Sequence, residues 1–337
     1  MGIIIALIAF NMMILIHELG HLIAAKKTGM NVKEFAIGFG PRLISKEYKG
    51  TLYSFRLLPL GGFNDIKINH NVTSEGDFYA KPLRSRLLVL VMGSVFNLVS
   101  AWIAIFLMLF LYGAPTTTPI IKDVVPDKPA YTFLQENDKI ISLNGNVIKD
   151  NSIDQEMYNS IKTSDNVNLI IERNGKAQVF DIPKGKNDVL GVRFDVGYKN
   201  MTAEDSFFGS TLLYGNYTGL IINSIRDIFT KEDLKVTESV GGPVGMGKAM
   251  YDVNNDLGMF GVLMMFAIVS INLGIFNLLP LPILDGGHIA VQLMERIRNK
   301  PFTEPQIKAM GYFGMAVLGG LFLLGTYSDF MRILFSN

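Results

Sequence analysis

The sequence predicts a polytopic α-helical membrane protein with four transmembrane helices, a membrane-associated β-hairpin and one extracytoplasmic β-rich domain. Three observations carry this reading. Four long apolar runs are separated by polar segments. Apolar residues make up 49% of the 337 and charged residues only 18%, against roughly 25% charged in an average soluble domain. Two of the intervening segments alternate apolar and polar residues with the period of a strand.

The apolar runs cover about Ile3–Ala25, Leu87–Gly113, Met259–Leu284 and Met310–Leu334. A helical span takes about 20 apolar residues. The fourth run carries Asp329 and Arg332 near its end. The first reads as a span rather than a signal peptide, because Lys26 and Lys27 follow the apolar run and no basic segment precedes it. Between the first and second runs lie eleven Lys and Arg residues, from Lys26 to Arg86, and between the third and fourth lie Arg296, Arg298, Lys300 and Lys308. The positive-inside rule places both loops in the cytoplasm. Both termini and residues 114–258 are then expected outside.

Within residues 31–68, Val32–Pro41 alternates and then breaks at glycines and Thr51–Pro59 alternates again, with Tyr48, Lys49 and Gly50 as the turn and Pro59, Gly61 and Gly62 closing the hairpin. Residues 114–198 carry short strand patterns at 120–121, 139–143, 167–171 and 178–182, hairpin signals at Asn144-Gly145 and Asn174-Gly175, and a short helical pattern at 153–161. In the segment 199–258, Phe207, Phe208, Leu212, Leu213, Leu220, Ile221, Ile225 and Ile228 recur at helical spacing. This predicts an amphipathic helix, on the membrane surface or packed on the extracytoplasmic domain.

There is no cysteine, which excludes disulfides and thiolate metal sites. The net charge of +1 gives no argument for nucleic acid as a partner. A transition metal would have to be held by His, Asp or Glu. His17-Glu18-Leu19-Gly20-His21 lies inside the first apolar run. Histidines at i and i+4 share one helical face and can reach one ion, and Glu18 is placed to take a proton from an attacking water. Ionisable groups in a membrane helix are costly, so they are functional candidates by default.

A catalytic zinc usually has three protein ligands. The favoured third is Asp285, where Asn277-Leu-Leu-Pro280-Leu-Pro282-Ile-Leu-Asp285-Gly-Gly287-His288 ends the third run and its prolines break the helix. His288 is the rival. His70, in a polar loop, reads as solvated.

These residues resemble a known family. HELGH in the first span and NLLPLPILDGG in the third look like the paired signatures of site-2 proteases. More closely, the chain resembles the bacterial regulator-of-sigma-E proteases (RseP and its relatives). Gly38-Phe-Gly-Pro41, Leu58-Pro-Leu-Gly-Gly-Phe63, Phe78-Tyr-Ala-Lys-Pro82, Gly93-Ser-Val-Phe-Asn97 and Gly241-Gly-Pro-Val-Gly245 follow in the family's order.

The resemblance implies an intramembrane zinc metalloprotease in a bacterial inner membrane, with Zn2+ on His17, His21 and Asp285 toward the cytoplasmic side and Glu18 activating water. It implies substrate contacts at Asn277, Pro280 and Pro282 and at Gly61 and Gly62. The expected substrates are single-span membrane proteins, such as anti-sigma factors or remnant signal peptides, cut within or near the bilayer after a prior extracytoplasmic cut.

The same resemblance makes 114–198 a PDZ domain that would take a peptide ligand. There is one such segment where some relatives carry two. Tyr131–Asp138 also departs from the family's usual Ala-Gly-Leu and Gly-Asp turn, which suits a size filter as well as a peptide groove. The competing readings are a metal transporter using the same three ligands, or an inactive PDZ scaffold.

Overall fold

The computed structural model describes residues 2–66, 68, 72–148, 153, 155–185, 188–230 and 243–335. His70 lies outside these residues, as does part of the 199–258 segment. Two compact units divide the chain: Met1–Met108 with Phe207–Asn337, and Leu109–Ser206.

In the first unit, the described residues form helices α1 (Gly2–Lys27), α2 (Leu83–Tyr112), α4 (Ala203–Thr230), α5 (Pro243–Asn277), α6 (Asp285–Arg298) and α7 (Glu304–Phe335), with strands β1 (Val32–Tyr48) and β2 (Thr51–Ile66). The ends of α2 and α4 run across the unit boundary. Four helical stretches are long and apolar enough to cross a bilayer: Leu7–Lys27, Leu83–Tyr112, Leu257–Asn277 and Glu304–Met331. They coincide with the four apolar runs. The third helix stops at Asn277, short of Leu284, because two prolines follow. Gly258 adopts φ 56° and ψ −139° at a kink in α5.

Buried acidic residues in this unit, Asp329 and Glu34 among them, have partners that account for them. Asp329, deep in the fourth apolar run, is buried, and its Oδ2 accepts the Gly245 N–H at 2.7 Å. That N–H belongs to the first turn of α5, where no intrahelical acceptor exists. Glu34, on β1, is also buried. Its carboxylate accepts from Arg42 Nη2 at 2.6 Å, Ser54 Oγ at 2.5 Å and Arg56 Nη2 at 2.8 Å.

The hairpin is more folded than the alternation suggests. Lys49 and Gly50 have φ 47° and 70°, the paired positive φ of a two-residue hairpin turn. Around that turn, Tyr48 pairs with Thr51 and Arg42 with Arg56. Gly38 and Gly40, at φ 87° and 84°, then bend β1, and its first half is used twice. Glu34 to Ile37 pair in rising register with Leu52 to Phe55, while Phe35, Ala36 and Ile37 pair in the opposite sense with Asn64, Phe63 and Gly62. The result is a small twisted sheet of four segments. Residues 42–48 and 62–66 form its outer edges.

The second unit holds β3 (Ala114–Val124), β4 (Lys139–Leu143), β5 (Asn146–Val147), α3 (Gln155–Thr163), β6 (Asn166–Arg173), β7 (Lys176–Pro183) and β8 (Val192–Lys199). The sheet order is β7-β6-β4-β3-β8, with β5 on β4. Val167, Leu169 and Ile171 point into a core with Ile121, Leu134, Ile140, Leu143, Ile161, Ile182 and Leu190, the period of two expected of a half-buried strand. Asn144-Gly145 and Asn174-Gly175 make their turns with positive φ throughout. Strand β8 was not among the expected strands, although Val192, Phe194, Val196 and Tyr198 alternate with polar residues and glycine. It forms by pairing with β3, from Ala114–Lys199 to Val124–Val192.

The departure at Tyr131–Asp138 also has a local reason. Asn137 takes φ 69°, where Asn is among the best tolerated residues after Gly. The buried Asp138 accepts the Gln135 N–H and a bidentate pair from Arg173 at 2.7 and 2.6 Å.

Glu34 yields a test of the hairpin. The hydrogen bonds from Arg42, then Ser54 and Arg56, outweigh burial and pull its pKa from 4.5 to about 2. A depressed folded pKa stabilises fully above about 4.5 and fades as pH falls through about 2. Glu34→Ala should cost the hairpin about 1.5–3 kcal/mol, as for hydrogen bonds to a charged group. Hydrogen exchange at residues 34–37 and 52–55 should therefore be faster in the variant at pH 6. The difference from wild type should shrink as the pH is lowered toward 2.

Candidate metal centre

The metal motif sits where α1 and α2 touch. Gly20 of α1 faces the Met92 carbonyl closely enough that a Cβ could not fit, and a Cβ on Gly93 would run into the imidazoles of His21 and His17. Two glycines in apolar helices thus let the backbones close and leave room for two rings. Close approach brings a carbonyl within reach of a ring: His21 Nδ1 lies 2.8 Å from Val89 O. A carbonyl can only accept, so Nδ1 carries the proton and Nε2 presents a lone pair.

The third side chain arrives from the break after α5. Residues 278–284 turn through Pro280 and Pro282, and Ile283 sits at φ 91°. A β-branched residue there is a genuine strain. Leu284 follows as the N-cap, and Asp285 opens α6. Gly286 and Gly287 lie so close to the carbonyls of Leu278, Leu279 and Leu281 that no Cβ would fit, and Gly314 of α7 packs likewise on Pro282. Further along α6, Gln292 accepts from Arg86 Nη1 and donates to Tyr79 Oη at 2.7 Å, tying α6 to the start of α2.

His17 Nε2, His21 Nε2 and Asp285 Oδ2 form a triangle whose sides are 3.2, 3.2 and 3.2 Å. A tetrahedral zinc with bonds of about 2.0–2.1 Å needs ligand atoms about 3.3–3.4 Å apart. With the His21 proton spent on Val89, lone pairs face one another across this triangle. Asp285 Oδ2 is buried without a satisfied hydrogen bond among the described residues. Such a cluster repels itself unless a cation sits between its members, so these side chains fit a zinc ion and could hold one.

The other sequence-predicted residues fall around this triangle. Glu18 accepts a hydrogen bond from Asn64 Nδ2 at 2.7 Å. Asn277, the last residue of α5, has Nδ2 3.4 Å from His17 Nε2. Gly62 lies beside Glu18, with the position of a Cβ 3.8 Å from Glu18 Cγ. The Gly61 N–H is already donated to Asn11 Oδ1 at 2.6 Å. Pro280 and Pro282 shape the turn before Asp285. His288 is not part of the metal-binding group among the described residues.

Sequence reasoning did not single out Asn11, Asn64 or Asn97 for a role at the site. Buried Asn97 has Nδ2 3.5 Å from His17 Nδ1, while its Oδ1 has no partner among the described residues. Turning the amide over sets its carbonyl against that ring nitrogen. Asparagines inside apolar runs, at 11 and 97, were the available signal.

The model of peptidase family M50 matches residues 5–321. The chain belongs to this family. Among its relatives, FN1322 of Fusobacterium nucleatum is 31% identical over 99% of each chain, and CPE1693 of Clostridium perfringens is 32% identical over 98% of each. The zinc metalloprotease RasP of Geobacillus kaustophilus is 27% identical over 97% of each. This M50 peptidase, a site-2 protease, is accordingly a zinc metalloprotease with apolar helices suited to a bilayer.

The glycine contact gives a prediction. Gly93→Ala should displace His21 and His17 and weaken zinc binding by about 10–100-fold, as disturbing the supports of metal ligands commonly does. Zinc titration of the purified protein measures this. Gly219→Ala, where a Cβ meets open space, should bind zinc normally.

Proposed function

We propose that His17, His21 and Asp285 hold the catalytic zinc, that Glu18 is the general base, and that the enzyme cleaves single-span membrane proteins within or near the bilayer. The equilateral triangle of ligand atoms carries this reading. Zinc, when bound, supplies Lewis acidity toward the scissile carbonyl and the attacking water. Everything else falls to the chain's own residues. Glu18 takes the proton of the attacking water and returns it to the leaving amine. Asn277, 3.4 Å from His17 Nε2, is placed to hold the substrate backbone with its amide.

A transmembrane substrate keeps its peptide groups bonded within its helix, so cleavage requires local unwinding to an extended strand. The outer segment 62–66 of the hairpin supports the remedy. Gly62 on this segment is adjacent to Glu18. A substrate strand added there would recover backbone hydrogen bonds beside the base. Gly61 would serve by fixing the strand to Asn11 rather than by contacting substrate.

On this reading residues 114–198 are a PDZ domain outside the cytoplasm of a bacterial inner membrane, supported by the strand order β7-β6-β4-β3-β8 and by helix α3. It would take a peptide ligand or exclude proteins with bulky ectodomains, so that cleavage follows an earlier extracytoplasmic cut. The basic loops at 26–86 and 296–308 would face the cytoplasm.

Glu18→Gln keeps the side chain's size and removes the base. It should retain zinc and lose about 10²–10⁴-fold or more in turnover. Expressed in the host, it should cause uncut single-span membrane fragments to accumulate. Normal turnover by this variant would overturn the assignment of Glu18.

A further inference from the structure

Glu18 is held from outside its own helix, by a residue of the hairpin. Asn64 Nδ2 lies 2.6 Å from the Glu18 backbone carbonyl and 2.7 Å from Glu18 Oε2. The carbonyl can only accept, so the amide nitrogen must be the group facing α1, and its two protons serve two oxygens of one residue. A strand alternates its side chains. Gly62 and Asn64 therefore share a face, and it is the face turned to Glu18. Gly62 places no side chain there, and the Asn64 amide bonds the carboxylate from this strand.

We propose that Asn64 is a positioning residue for the general base: it fixes the aim of the Glu18 carboxylate relative to α1 and couples that aim to the strand on which substrate would dock. This rests on Glu18 being the base. Anchoring to the main-chain carbonyl ties the amide to the helix, and the second bond then ties the carboxylate to the amide. Oε2 is occupied by Asn64, which leaves Oε1 to meet the water. Asn64 also pairs with Phe35 across the sheet, and the nearby Gly61 N–H is bonded to Asn11 at 2.6 Å. A second tie from hairpin to α1 thus lies three residues before Asn64. A shift of this edge would move the amide, and with it the carboxylate.

The test compares Asn64→Asp, Asn64→Ala and Glu18→Gln. The assay measures cleavage, by purified full-length protein, of a synthetic peptide covering the segment of a membrane protein that accumulates uncut in Glu18→Gln cells. Asn64→Asp keeps size and shape but has no N–H to donate, and it sets an acceptor against an acceptor. It should bind zinc in the wild-type ratio, keep KM within about twofold, and lose about 10–100-fold in kcat, the usual scale for removing the support of a functional side chain. Asn64→Ala should show the same split.

Wild-type kcat in Asn64→Asp would overturn the proposal, because shape alone would then suffice. A loss confined to KM would overturn it as well, by making Asn64 a docking residue. Loss of zinc in Asn64→Asp would reduce its role to holding the fold. If Asn64→Ala alone fails to fold, Asn64→Asp decides. Should Glu18→Gln itself cleave normally, the base assignment falls. A dead Glu18→Gln beside a normal Asn64→Asp leaves that assignment standing and removes only Asn64.

Discussion

Two imidazoles on one turn of a helix and a carboxylate from 264 residues further along the chain must bring three lone pairs to within 3.2 Å of one another. Little else in the membrane unit makes sense without this demand. Three acceptors facing each other are repulsive, and polar groups in an apolar helix bundle are costly. Each feature around the triangle meets one part of that cost. The Val89 carbonyl takes the His21 proton, Asn97 stands at the other ring, and glycines at 20 and 93 remove the side chains that would keep α1 and α2 apart. The zinc proposed for this site would meet the remaining cost and turn the repulsion into coordination.

The same demand explains the irregular backbone between α5 and α6. A continuous helix through Asn277 would carry Asp285 past the site. Two prolines and a strained Ile283 turn the chain, and Asp285 begins a new helix instead. The turn is locked by contacts at Gly286, Gly287 and Gly314 that leave no room for a Cβ. Strain of this kind persists where surrounding packing over-determines it. Gln292, Arg86 and Tyr79 then tie the new helix to the start of α2.

The hairpin belongs to the same logic. A soluble metalloprotease can take an extended loop of its substrate directly, whereas a membrane helix must first be opened. On the proposed reading the answer is a bent sheet whose outer segment runs past Glu18, pinned to α1 at Asn11 and at Glu18 itself. Buried Glu34 and its two arginines hold the sheet's own bend. The proposed base and the proposed substrate edge would therefore move as one mechanical piece.

Much of this was legible beforehand. Hydropathy revealed the four apolar helices because bilayer thickness imposes a length that no soluble helix needs. The hairpin turns were legible at Lys49-Gly50, Asn144-Gly145 and Asn174-Gly175, because paired positive φ restricts which residues fit. His17, Glu18 and His21 were legible because helical periodicity places i and i+4 on one face. Asp285 was favoured over His288 by chemistry and position alone. Strand β8 was legible too, because Val192, Phe194, Val196 and Tyr198 alternate with polar residues and glycine at the period of a strand, although it was not among the expected strands. Other features had no local signature. The doubled use of β1, and the edge it exposes, follow from bends at Gly38 and Gly40 that alternation does not report. The contact of Asn64 with Glu18 joins residues 46 apart across a strand and a helix. Local sequence determines which elements form and which side chains can coordinate or donate. Which of them meet is decided by the approach of whole helices and strands, and that distance is set by packing across the bundle rather than by any one segment.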